Sequence, residues 1–236
     1  MAARLIGAEV DYDALAPVYE RVFGPEAAEG TWRTLERLLL PHLSPRARVL
    51  DLCCGTGEIT ARLLRAGLRV TGVDRSQAML AYARQRAPRA RFLKADMREF
   101  CPEPGSFAAV VCVYNSLPHL TSTRQLQAVF RMVARALAPG GRFVFDLYPE
   151  EAYSHGWRGV RPADGCVLAA RYDAQTARAV TQIYWEGGSA ELRIRCYGRA
   201  DLRRLLRAAG LAEVRSYATG RATDGRQFWV CGTGRS

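Results

Sequence analysis

Between Arg46 and Leu147, short apolar runs alternate with segments whose apolar residues recur at helical spacing. Arg48–Leu52, Leu68–Val73, Arg91–Lys94, Phe107–Val113 and Arg142–Leu147 are the apolar runs, and each reads as a strand of a parallel sheet. Glu58–Ala66 sets Ile59, Leu63 and Leu64 on one helical face and stops at Gly67. Ser76 offers a side-chain cap to a helix through Met79, Leu80 and Ala83. Ser122–Leu137 reads as a long amphipathic helix ended by Pro139-Gly140-Gly141. Strand–helix alternation of this kind predicts an α/β fold, a doubly wound sheet with right-handed crossovers.

The pattern changes after residue 150. Gly165–Tyr172, Ala177–Glu186 and Glu191–Tyr197 read as three antiparallel strands, the last two joined through Gly187-Gly188. Asp201–Ala209 is a helix stopped by Gly210, and Val214–Ala218 and Gln227–Cys231 form a closing pair. That pair is expected to complete a seven-stranded, mostly parallel sheet with an antiparallel C-terminal strand. The small antiparallel insert, within residues 151–198, is expected near the substrate face as a lid, an acceptor site or a dimer contact. Residues 1–43, helical from Tyr12 to Leu40, form a cap on the same face. The 236 residues are read as one domain.

Composition narrows the picture. An apolar share of 49% suits a folded chain. No run reaches the roughly 18 apolar residues of a membrane span, and the first residues lack the apolar core, roughly 7–15 residues long, of a secretory signal. A soluble, cytoplasmic protein without a membrane partner is expected, as monomer or homodimer. Cys53, Cys54, Cys101, Cys112, Cys166, Cys196 and Cys231 are odd in number and show no C-x-x-C spacing, which disfavours zinc or a disulfide framework. The net charge of +11 raises nucleic acid as a partner. However, Lys94 is the single lysine among 34 cationic residues, and the arginines are dispersed without interleaved aromatics. That pattern fits compositional bias better than a binding platform.

The candidate chemistry lies at the strand tips. Asp51-Leu52-Cys53-Cys54-Gly55-Thr56-Gly57 follows the first strand; Gly55 and Gly57 allow close approach of a ligand to backbone. The helix starting near Glu58 points its positive end at the same place, which favours a carboxylate or phosphate. A nicotinamide site would carry a third glycine where this chain has Thr60. Asp74, 23 residues after Asp51, stands at the second tip, where a carboxylate accepts two ribose hydroxyls; alternatively it caps the following helix. Asp96-Met97 stands at the third tip, with an acceptor for an amino group and a soft apolar surface for a base. Open α/β sheets bind ligands along this edge.

VLDLCCGTGEI, VTGVDRSQAML, FLKADMREF, FAAVVCVYNSLPHL and ALAPGGRFVFDL, in this order, resemble the motifs of class I S-adenosylmethionine (SAM) dependent methyltransferases. The resemblance covers Tyr12 to Leu147 and, more loosely, the closing strand pair. It implies that Asp51, Gly55 and Gly57 surround the methionine end of SAM, that Asp74 holds the ribose, that Met79 and Met97 flank adenine, and that Asp96 contacts its amino group. Arg75 and Val113 belong to the same cofactor set. The opening YDALAPVYERVF and the insert are similar to small-molecule enzymes of the family, in which tyrosines matching Tyr12 and Tyr19 close over the cofactor. The competing reading is that these two, seven apart, share a helix face packed into the core.

The acceptor is expected beside Tyr12, Tyr114, Asn115 and His119. The fourth tip, Val113 to His119, lacks the Asn-Pro-Pro-aromatic signature of base-amino methylation and the Pro-Cys nucleophile of pyrimidine-carbon methylation. No acidic cluster suited to Mg²⁺ stands apart from the cofactor carboxylates, so no metal is expected. These signs point to methyl transfer to N or O of a small organic molecule. His119 is the candidate base, since histidine titrates near neutrality; its other reading is a residue that shapes the loop. His42, in a surface turn, and His155, in the insert, have weaker claims. An RNA methyltransferase, a nicotinamide oxidoreductase and a SAM-binding protein without turnover remain as alternatives.

Overall fold

β1 (Arg48–Leu52) is the centre of a seven-stranded sheet. The computed structural model describes residues 10–23, 25–156, 159–163, 165–219 and 225–233. β1 pairs in parallel with β2 (Arg69–Asp74) on one side and β4 (Phe107–Cys112) on the other. β3 (Arg91–Lys94) extends the sheet beyond β2, and β5 (Leu137–Leu147) beyond β4. β11 (Gln227–Gly232) then runs antiparallel to β5 and to β10 (Ala212–Ala218), so the order is β10-β11-β5-β4-β1-β2-β3. The expected mostly parallel sheet with an antiparallel C-terminal strand is therefore present.

Side-chain alternation divides the core into two layers. Leu50 and Leu52 of β1 face a layer built on α5 (Thr123–Ala136) and α7 (Arg199–Ala208). There Phe143 and Phe145 stack at 4.8 Å, and Trp229 lies parallel to Phe145 at 6.0 Å. Val49 faces the opposite layer, with Leu35 and Leu39 of α2 (Pro25–Leu39) and Ile59 and Leu63 of α3 (Glu58–Arg65). Asp51 follows the same alternation toward α3, where the buried Thr60 hydroxyl donates to its carboxylate at 2.5 Å. Thr60, in the place of a third glycine, thus gives the buried acid its partner.

The expected helix over Ser122–Leu137 is shorter than its periodicity suggests. α5 stops at Ala136, and Leu137 already pairs with Phe107 of β4. Pro139 disfavours helix at the residue before it, and Gly140 sits at φ +74°. Residues 138–141 loop out as a bulge before pairing resumes at Ala109 with Arg142.

A second sheet covers the carboxyl ends of the parallel strands. It holds four strands rather than three, ordered β6 (Gly159–Ala163), β7 (Cys166–Asp173), β8 (Arg178–Trp185) and β9 (Gly188–Arg195). β6 carries Pro162 and occupies an edge, which is why its pattern reads weakly in the sequence. Leu168 and Ile183 of its inner face pack on Leu15 and Val18 of α1 (Tyr12–Phe23). Ala179 and Ile194 pack on Tyr153 of α6 (Glu150–Gly156). Among the described residues, no helix is long and apolar enough to cross a membrane.

Polar contacts fix α1 to α4 (Gln77–Arg86) at both ends. Asp13 accepts from the Ser76 hydroxyl at 2.5 Å and the Ala78 N–H at 2.9 Å, while Ser76 Oγ caps α4 by accepting from Met79 N–H. Arg86 pairs with Glu20 of α1, lies 2.9 Å from Glu58 of α3, and donates to the Thr56 carbonyl.

Gly57 locks the first turn to α4. Its φ is +82°, and a Cβ there would stand 2.9 Å from the Ala83 Cα. Gly67 has a similar φ of +83° with open space around it. Gly67→Ala should therefore cost only the left-handed backbone term, about 1–2 kcal/mol. Gly57→Ala adds overpacking against backbone and should cost about 3 kcal/mol or more in denaturant unfolding. Equal losses for the two would remove the packing role assigned to Gly57.

Candidate functional site

The strand tips, α1, α6 and the inner face of the second sheet enclose a cavity of about 800 Å³. That volume lies within the range of roughly 300–1,000 Å³ found for small-molecule sites. One half is built on the tips of β1, β2 and β3. Asp74, at the end of β2, accepts the Gly55 N–H at 2.9 Å through Oδ2 and the Ser76 N–H at 2.9 Å through Oδ1. Burial raises its pKa, and backbone donors at Ser76, Gly55 and Arg75 oppose that rise. It lines the cavity, and a carboxylate's roughly four acceptor sites exceed these three donors. Ser76, not Asp74, is the cap of α4.

Gly55, at φ +53°, faces the cavity and approaches the Tyr19 ring, to which a Cβ would lie at 4.0 Å. Met79 is buried and Met97 half-buried; both line this half, and the Cys53 thiol reaches Met97 Sδ at 3.6 Å. Asp96 also lines it. Arg98 grips Asp96 bidentately, Nε to Oδ1 at 2.9 Å and Nη2 to Oδ2 at 2.6 Å, and holds its pKa below the ordinary carboxylate range. Arg75 donates to the Val10 carbonyl at 2.8 Å, and its guanidinium lies 5.5 Å from the Tyr12 ring centroid.

Asp51, Gly57 and Val113 stand behind the residues that line the cavity. Asp51 is buried, and burial pushes its pKa up to about 7 against the Thr60 hydrogen bond. Gly57 packs on Ala83, and the Val113 carbonyl accepts the Ser116 hydroxyl at 2.7 Å. Their place is to shape the turns whose neighbours Leu52, Cys53, Gly55 and Tyr114 reach the cavity.

The other half centres on the fourth tip. Tyr114 and Asn115 have φ of 63° and 57°, two successive non-glycine residues in the left-handed region. Such backbone persists only where the surroundings hold it. Here the buried Asp146, at the end of β5, accepts the Asn115 N–H at 2.6 Å and the Tyr114 N–H. Asn115 Nδ2 donates to the Tyr153 hydroxyl at 2.9 Å, and Asn115 Oδ1 accepts from Tyr148 N–H at 3.3 Å. Tyr12 meets His119 across the cavity, hydroxyl to Nε2 at 3.0 Å, with edge-to-face rings. Burial, with Arg75 nearby, lowers the His119 pKa to about 4, away from the near-neutral value that motivates a base at this position.

Tyr12, Tyr19, Asp74, Arg75, Met79, Asp96, Met97, Tyr114, Asn115 and His119 thus line one cavity. Tyr12 and Tyr19 also pack against the Leu15–Val18 cluster, so their helix face serves both readings. His42 lies in an exposed turn, and the His155 side chain falls outside the described residues, as do residues 157 and 158 beside it. Arg226 and, on the inner face of β8 and β9, Thr181, Ile183 and Leu192 line the cavity, and the buried Asp146 holds the fourth tip from behind; sequence reasoning singled out none of these residues. An acid closing the fifth apolar run was a usable signal for Asp146. Arg226 follows a loop without pattern and offered none.

Residues 49–141 match the sequence family described as a methyltransferase domain. The chain is 37% identical over 140 residues to the putative methyltransferase YqeM of Bacillus subtilis, covering 58% of this chain and 55% of YqeM. It is 34% identical over 175 residues to the trans-aconitate 2-methyltransferase of Enterobacter sp. (strain 638), covering 69% and 67%. Over 148 residues it is 31% identical to the dTDP-3-amino-3,4,6-trideoxy-alpha-D-glucopyranose N,N-dimethyltransferase of Streptomyces venezuelae, covering 62% and 59%. The aligned part of the chain therefore spans between about half and two-thirds of these relatives. A SAM-dependent methyltransferase structure from Clostridium acetobutylicum superposes with a TM-score of 0.80 at 18% identity, covering 94% of this chain and 99% of that one. Streptomyces venezuelae DesVI superposes with a TM-score of 0.73 at 24% identity, covering 96% and 100%. These superpositions speak to the fold; taken with the sequence matches, they make this chain a member of the class I SAM-dependent methyltransferase family.

Proposed function

We propose that the protein transfers the methyl group of SAM to N or O of a small organic molecule bound between the strand tips, α1 and the second sheet. The observation that carries this reading is the single cavity in which the Asp74–Gly55 turn and the Tyr114–Asn115 tip face each other. Relatives named for trans-aconitate and for N,N-dimethylation of an amino sugar nucleotide agree with a small acceptor.

The residues present fit SAM. Asp74 has acceptor capacity left for the ribose hydroxyls, Gly55 leaves room that a Cβ would narrow, and Met79 and Met97 offer an apolar slot for adenine. Tyr19 and Arg75 close the same half from α1 and β2, and Asp96 keeps an edge for the adenine amino group beside Arg98. Asp51, Gly57 and Val113 act from behind by holding the turns. When bound, SAM supplies a methyl group on a sulfonium, a leaving group that needs no acid. What remains for the chain is to orient the acceptor and exclude water, worth up to about 7–11 kcal/mol in favourable systems.

In this reading all 236 residues form one unit, with the helical cap up to residue 43 and the insert of residues 151–198 roofing the acceptor. Free thiols at all seven cysteines fit the reducing cytoplasm. His119 stays uncharged at neutral pH and orients the Tyr12 hydroxyl toward the acceptor half.

Two measurements test these assignments. Asp74→Asn keeps the shape but weakens acceptance from two hydroxyls, so calorimetric affinity for S-adenosylhomocysteine should fall by about ten- to a hundredfold. Unchanged affinity would remove Asp74 from the ribose site. The second is the pH dependence of stability. The folded state keeps His119 neutral down to about pH 4, whereas the unfolded chain protonates it near 6.5. The unfolded state therefore binds more protons in that window, and the wild type loses stability as pH falls through it. Relative to His119→Asn the loss should reach roughly 3 kcal/mol by pH 4. Parallel pH profiles for the two proteins would contradict a buried neutral ring.

A further inference from the structure

We infer that the acceptor is a carboxylic acid whose carboxylate is held by Arg226; this rests on the methyl-transfer reading above. Arg226 lines the acceptor half of the cavity, on the residue just before β11. Four groups brace its guanidinium. Nη1 lies 3.2 Å from Oδ2 of the fully buried Asp146, Nη2 donates to the Thr31 hydroxyl at 2.5 Å, and the plane sits over Tyr114 and Phe228 at 5.7 and 5.1 Å from their centroids. A guanidinium carries five N–H donors; the bond to Thr31 engages one, and Asp146 Oδ2 stands at ion-pair distance without hydrogen-bond geometry. The side chain is 18% exposed, and the surface it retains includes the cavity wall. An arginine held by an acid, a hydroxyl and two neighbouring rings is preorganised for a planar, bidentate anion.

The other charges favour the same ligand. Arg75, Arg98, Arg193 and Arg226 line the cavity against Asp74, Asp96 and Glu191. Each of those carboxylates already has partners: backbone N–H groups for Asp74, Arg98 for Asp96, Arg193 and Gln182 for Glu191. Asp74 and Asp96 lie in the half assigned to SAM, and Glu191, on the second sheet, is held by Arg193 and Gln182.

Proton handling points the same way. A hydroxyl acceptor must lose a proton, yet His119 already meets the Tyr12 hydroxyl through Nε2 and burial makes it a weak base, while burial also keeps Tyr12, Tyr19 and Tyr114 protonated. A carboxylate arrives without a proton. Its oxygen forms the O–CH3 bond as the C–S bond breaks, the negative carboxylate and positive sulfonium become a neutral ester and thioether, and no proton is released.

The test is calorimetry on the full chain saturated with S-adenosylhomocysteine. It is titrated with citrate, tricarballylate, glutarate and benzoate, with their primary amides, with glucosamine, and with a nucleoside diphosphate amino sugar. At least one acid should bind about tenfold or more tighter than its amide. Arg226→Lys keeps a charge opposite Asp146 but loses the fork, and should weaken that acid about tenfold while S-adenosylhomocysteine affinity holds. The charge-neutral pair Arg226→Gln with Asp146→Asn should weaken it further. The wild-type acid-over-amide preference decides the matter even where a variant does not fold. Acids that bind no tighter than their amides, acid affinity indifferent to folded Arg226 variants, or binding confined to the amino sugar or its nucleotide would each overturn the inference. Failure of the wild type to bind S-adenosylhomocysteine would overturn the methyl-transfer reading itself.

Discussion

The architecture of the site depends on buried carboxylates that end the parallel strands and hold the loops crossing their tips. A parallel sheet brings its turns to one edge, where their N–H groups have no strand to pair with, and a buried N–H without a partner is costly. Asp74 answers this by taking the Gly55 N–H from one turn and the Ser76 N–H from the next. Asp146 repeats the solution one crossover away, holding Asn115 and Tyr114 in left-handed conformations that their side chains alone would not choose. Asp51 completes the set with Thr60. Burial raises the pKa of all three, the expected consequence of withdrawing a carboxylate from water, and the donors around them oppose that rise.

A cavity at this edge needs a roof, which two unrelated segments supply together. α1 is fixed by polar contacts near its ends, Asp13 on Ser76 and Glu20 on Arg86, while its apolar face receives Leu168 and Ile183 of the second sheet. The sheet reaches over the acceptor half through Thr181 and Leu192. The cofactor half thus rests on rigid strand tips, and the acceptor half on elements added around them. A shared fold does not fix the substrate, and here the added elements line the half of the cavity proposed for the acceptor.

The cofactor half was legible in the sequence because its parts are local: a glycine turn after an apolar run, and acids at the ends of two more. The acceptor half was legible only as far as Tyr12 and Tyr114 to His119. β6 escaped because Pro162 breaks its pattern, and the end of α5 because apolar spacing continues into a residue that pairs as strand. His119 shows the limit for chemistry: its residue type suggests titration near neutrality, and burial lowers its pKa to about 4.

By itself, then, the chain determined the strand–helix alternation of the main sheet, the acidic tips and the glycine turn, since these follow from periodicity and backbone permissions that neighbouring residues set. Only the tertiary structure decided which distant groups meet. It joined Tyr12 to His119 across 107 positions, set Arg226 against Asp146, and brought the second sheet over the tips. The physical reason is that burial, ion pairing and pKa are properties of a surrounding, and here that surrounding comes from segments far apart in the sequence.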